Sequence, residues 1–127
     1  MTILRTALVA LLLNLTAFAQ PAPTAADAIV VVTGTTASVY LGINNPTMYD
    51  IYVVSAKSEA AGKVELIDGD KPVKELTVAS YGSLELKAGG AFVRLSDLKQ
   101  ELKAGASVTV TLMTDGGVTI VATAAVT

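Results

Sequence analysis

The 127-residue sequence contains no histidine, no cysteine and no tryptophan. Without histidine, nucleophilic catalysis of the serine-histidine or cysteine-histidine kind has no general base, and imidazole metal sites have no ligand. Without cysteine there is no disulfide, no thiolate ligand and no atom for a thioether-linked lipid, so the fold rests on its apolar core. Serine-lysine chemistry stays formally open, but no serine stands in a nucleophile-elbow setting. These absences predict a protein that is not an enzyme. Basic residues are few and scattered, 9 against 11 acids, which argues against nucleic acid or an anionic membrane as partner.

What is present begins with an export signal. A single early cation, Arg5, precedes an apolar run from Ala7 to Ala19 that only Asn14 and Thr16 interrupt. At 13 residues this run is shorter than the roughly 20 needed for a transmembrane helix. It ends in the small-x-small triplet Ala17-Phe18-Ala19, so residues 1–19 read as a signal peptide cut before Gln20. The expected location is the periplasm or the extracellular space, with no membrane insertion after cleavage. Residues 20–27 (QPAPTAAD) read as a flexible leader, and residues 28–127 as one domain. Removing the signal leaves eight basic and eleven acidic side chains, a mildly acidic surface.

From Ala28 onward, short runs of Val, Thr, Ile and Tyr alternate with Gly, Asn, Asp and Pro clusters, the pattern of an all-β sandwich or barrel. Strands are expected near 29–33, 38–44, 51–55, 62–68, 73–78, 83–87, 91–95, 107–114 and 118–125. Alternation places Val39, Leu41 and Ile43 on one core-facing side, and Val108, Val110 and Leu112 on another. Asp115-Gly116-Gly117 predicts a hairpin turn. Leu95, Leu98 and Leu102, at i, i+3 and i+7, predict one short helix with Ser96 as N-cap and Gly105 beyond its end.

Three segments carry a resemblance to a known family: Tyr40-Leu-Gly-Ile-Asn-Asn45, the stretch Ser55 to Glu65 ending Gly62-Lys-Val-Glu65, and Leu84-Glu-Leu-Lys-Ala-Gly-Gly90 followed by Leu95 to Gly105. Their order and spacing resemble the periplasmic copper chaperone family PCu(A)C. The resemblance implies a cupredoxin-like, immunoglobulin-like antiparallel β-sandwich of seven to nine strands, and a role in extracytoplasmic Cu(I) handling. It also implies a copper site of two histidines and two methionines, a set suited to Cu(I). At the matching positions this chain has Ile67, Phe92 and Arg94, with Leu41 at or near the fourth. Direct Cu(I) binding is therefore not expected, no cofactor is expected, and copper enters by resemblance only.

Other constellations carry weaker signals. Met48 and Met113 are the mature thioethers available for a replacement site. Glu65, Asp68 and Asp70 have oxygen ligands but read better as a hairpin turn at Asp68-Gly69-Asp70. Tyr40 and Tyr52 are expected as a cross-strand pair, and Tyr49, Tyr52 and Phe92 as an apolar patch beside the vacated site, for another extracytoplasmic protein.

Overall fold

The computed structural model describes residues 22–127; the expected signal segment and its cut site lie outside the described residues. Ten strands follow in chain order: β1 (Thr24–Thr33), β2 (Thr36–Asn44), β3 (Ile51–Lys57), β4 (Ala61–Asp68), β5 (Lys71–Pro72), β6 (Leu76–Val78), β7 (Ser83–Glu85), β8 (Ala91–Leu98), β9 (Ser107–Thr114) and β10 (Thr119–Val126). They form one curled sheet in the order β5-β4-β8-β2-β1-β10-β9-β3-β6, with β7 added beside β2. All neighbours are antiparallel except β1 and β10, which run parallel at Ile29 opposite Ala125.

Alternating apolar residues dictate the curl. Val39, Leu41 and Ile43 of β2 and Val108, Val110 and Leu112 of β9 are all buried, as the alternation predicts, and they join one core with Val53, Leu66, Val78, Val93 and Leu95. Because these residues come from both ends of the strand order, the two halves of the sheet face each other across that core. Each fully buried aliphatic side chain contributes about 1.5–3 kcal/mol against exposure.

Two expectations are corrected. The helix over Leu95 to Leu102 does not form; the described residues contain no helix, and Leu95 and Leu98 belong to β8. In β4 and β8 the core-facing pairs are Leu66 with Val93, Val64 with Leu95, then Ala61 with Leu98. The spacing changes from two residues to three at Gly62 and Asp97, where Asp97 takes a φ of 54°. A strand whose facing parity breaks once thus mimics an i, i+3 helical spacing. The Asp97 carboxylate lies where a side chain on residue 62 would stand, so any larger residue there has to displace it. The second correction is at the N-terminal side: β1 begins at Thr24, inside the segment read as a leader, and pairs Thr24 with Asn44. A left-handed residue, Asp27 at φ 56°, shifts the register between Ala26 and Ile29 and hides the alternation from a sequence reading.

The turns follow their chemistry. Asp68 and Lys71 close a two-residue hairpin whose central residues Gly69 and Asp70 have φ of 61° and 74°, the mirror-image turn that suits strand twist. Asp115 to Gly117 turn β9 into β10, where the buried Thr114 hydroxyl donates to the Val118 carbonyl at 2.7 Å.

Candidate functional site

The register of β4, β8, β2 and β1 lays out the outward side of this half of the sheet in rows. One row runs Glu65, Arg94, Ser38, Val31, and the next runs Ile67, Phe92, Tyr40, Ile29. Ile67, Phe92 and Arg94, three positions singled out from the sequence, are thereby brought together on adjacent strands. Ile67 is 0% and Phe92 7% exposed, yet neither belongs to the main core; they form a small apolar cluster on the outer face.

The Phe92 ring meets the Tyr40 ring edge-on, with centroids 5.9 Å apart. Over Phe92 lies the Arg94 guanidinium, 5.7 Å from the ring centroid, in cation–π position. Glu65 is directly across from Arg94 in the register, but its carboxylate stands 3.9 Å from Lys63 Nζ. Among the described residues Arg94 has no ion-pair partner.

Leu41 does not join this face. It points into the core with Val39 and Ile43, and Tyr40 supplies the β2 side chain on the outer side. Sequence reasoning missed Tyr40 as a member of the site, although the alternation that made Leu41 a core residue already excluded Leu41 from the opposite face. None of Tyr40, Ile67, Phe92 and Arg94 carries an imidazole or a thioether, so the donor set does not fit Cu(I).

The expected aromatic patch is not assembled. Tyr52 is on β3, five places from β8 in the strand order and on the other half of the sheet. It is held by Asp115, whose backbone N–H donates to the Tyr52 carbonyl at 3.0 Å. The partner of Tyr40 is Phe92 rather than Tyr52, because β2 and β3 are not neighbours. Tyr49 is exposed in the β2–β3 loop. Met48 lies exposed in that same loop, whereas Met113 lies opposite Ser55 and lines an open groove between β9 and the β3–β4 connection. Among the described residues, no group of three or more carboxylates gathers to hold a metal, Glu65, Asp68 and Asp70 included.

One polar centre was legible only as part of the Asn44-Asn45 strand end. Asn45 is fully buried, and its amide donates to the carbonyls of Tyr49, Val78 and Ala79 at 2.8, 3.2 and 3.1 Å. Its Oδ1 accepts from the Thr47 N–H at 3.0 Å and the Thr47 hydroxyl at 2.6 Å. Asn45 thereby fixes the loop after β2 to the strand β6.

Solved structures with this fold include the copper-bound PCuAC domain from PmoF2, at a TM-score of 0.75 and 17% identity over 86% of this chain and 95% of that one. The apo PCuAC domain from PmoF1 superposes at 0.74 with 23% identity, covering 81% of this chain and 91% of that one. The solution structure of CuI-DR1885 from Deinococcus radiodurans gives 0.70 with 28% identity over 87% and 81%. The fold is thus that of the PCuAC domains, as the resemblance implied. No curated protein sequence matches the chain. The family model described as lipoprotein LpqE-like matches residues 16–126, and the chain belongs to the LpqE-like family.

Proposed function

We propose that this protein is a non-enzymatic, extracytoplasmic participant in copper handling that acts through contacts with other proteins and does not itself hold Cu(I) on its outer face. The copper context is supported by the similar fold of a copper-bound PCuAC domain and of CuI-DR1885. The location is supported by the apolar run at Ala7 to Ala19 and by the family's description as lipoprotein.

The observation that carries the metal-free reading is Arg94 stacked on Phe92. A guanidinium is a cation with no lone pair to donate, so it repels a metal ion brought to this face. Phe92 and Ile67 fill the space beneath with hydrocarbon. A partner meets the accessible part of the face, which is Arg94, Tyr40 and Ile29, and arginine and tyrosine are residue types that carry binding energy at interfaces. Titrating the chain with Cu(I) against a competing chelator tests the reading. No binding is expected, and sub-micromolar binding would overturn it.

A further inference from the structure

Arginine occurs once after residue 19, at Arg94, against seven lysines. The lysines are spread along the chain, whereas Arg94 stands on β8 between β4 and β2, half-buried and with its guanidinium over the Phe92 ring. The register supplies its surroundings. Ser38 is opposite Arg94 on β2, Ser96 lies two residues along β8, and the adjoining row is Ile67, Phe92, Tyr40 and Ile29. Glu65 is opposite on β4, but its carboxylate stands 3.9 Å from Lys63 Nζ. Lys63, Glu65 and Arg94 together therefore leave one positive charge on this face, in a chain whose acids outnumber its bases.

A cation of this kind is a binding element without its counter-charge. The ring contact occupies one side of the guanidinium, and the planar fork keeps its N–H edges for an acceptor. A carboxylate matches that fork with two parallel hydrogen bonds, which a lysine ammonium cannot do. Hydrocarbon from Phe92 and Ile67 beside the charge lowers the local dielectric, so such a pair is stronger here than in open water. A single arginine without a basic cluster suits one carboxylate and not a polyphosphate backbone, which takes many cations to neutralise.

We infer that Arg94 is the receptor for a carboxylate of a partner protein, presented in a segment where an acidic residue is flanked by apolar or aromatic ones. The carboxylate meets Arg94, and its apolar neighbours lie against Tyr40 and Ile29, the accessible members of the adjoining row. This rests on the reading of the face as a protein contact and adds the chemistry of the partner. Lys63 is then a positioning residue, since it holds the Glu65 carboxylate away from Arg94 and leaves the guanidinium for the partner.

The NMR signal of the Arg94 Nε–H group reads the contact in the nitrogen-15-labelled chain, where Arg5 is the sole other arginine. The probes are the peptides acetyl-Phe-Asp-Phe-amide and acetyl-Phe-Asn-Phe-amide, and inorganic phosphate. The aspartyl peptide is expected to shift the Arg94 signal and the Tyr40 ring protons and to bind about tenfold more tightly than the asparaginyl peptide. That preference is lost in Arg94→Gln and kept in Lys57→Gln, which removes the same charge from the other half of the sheet. Equal binding of the two peptides, or no shift with either, would overturn the assignment. Phosphate shifting the same signals as strongly as the aspartyl peptide would overturn it in favour of a phosphate ligand. These outcomes are independent of copper: sub-micromolar Cu(I) binding by the same chain is the separate result that defeats the reading on which the inference rests.

Discussion

The Arg94 guanidinium carbon stands 5.7 Å from the centre of the Phe92 ring, while Glu65, its cross-strand neighbour, turns to Lys63. A cation therefore rests on an aromatic face beside a carboxylate that does not pair with it. The ring is in turn held by Ile67 beneath it in the register and by the edge of Tyr40.

This arrangement separates what the two residues contribute. Arg94→Gln removes a partly exposed cation–π contact and costs no more than about 1 kcal/mol. Phe92→Ala empties a buried site and costs about 3 kcal/mol or more. Urea unfolding of the two variants measures the difference as a shift in midpoint at constant slope. Equal losses would contradict the packing described for this face.

The buried Asn45 side chain makes five hydrogen bonds at one end of the core. Asn45→Ala removes the acceptor of the Thr47 N–H and one donor to each of the Tyr49, Val78 and Ala79 carbonyls, of which Tyr49 keeps the Thr47 hydroxyl and Ala79 keeps the Gly82 N–H, and the expected loss is about 3 kcal/mol. For a domain of this size that lowers Tm by at least roughly 10 °C, read by circular dichroism. A change of a degree or two would mean that the carbonyls find water.

Leu95 and Leu98 test the strand against the helix. Leu95 is fully buried in the middle of β8, whereas Leu98 packs at the edge of the core and is only partly covered. Leu95→Ala is expected to cost about 3 kcal/mol or more, and Leu98→Ala clearly less. An amphipathic helix would weight the two alike.

At the β4–β5 hairpin, a methyl group on Gly69 meets no atom within 4 Å, so any penalty there is one of backbone conformation alone. With φ at 61°, Gly69→Ala is expected to cost about 1–2 kcal/mol. Thermal unfolding checks this, and a neutral substitution would show that the turn relaxes to another type.

Much of the fold was legible in the residues. Period-two alternation in β2 and β9, the Asp68-Gly69-Asp70 turn and the Asp115 hairpin all formed where the pattern placed them. The failures share one physical cause: a residue with positive φ breaks the side-chain parity of a strand. Asp97 did so in β8 and made three leucines look helical, and Asp27 did so in β1 and made its first residues look like a leader. The site was legible in part. Ile67, Phe92 and Arg94 meet because their strands are register neighbours, but the packing of Tyr40 against Phe92 depends on β8 lying beside β2, which no local pattern reveals. The separation of Tyr52 from Phe92 depends on the same long-range order.

The central proposal is that the outer face of β4, β8 and β2 holds no copper because Tyr40, Ile67, Phe92 and Arg94 offer it neither imidazole nor thioether. The most direct measurement is a competitive Cu(I) titration of the wild-type chain beside the variant Ile67→His/Phe92→His/Arg94→Met. The account predicts no measurable binding by the wild type and a gain of Cu(I) binding when imidazole and thioether donors are placed at these neighbouring positions. Tight binding by the wild type, or binding that Arg94→Gln or Phe92→Ala abolishes, would contradict it.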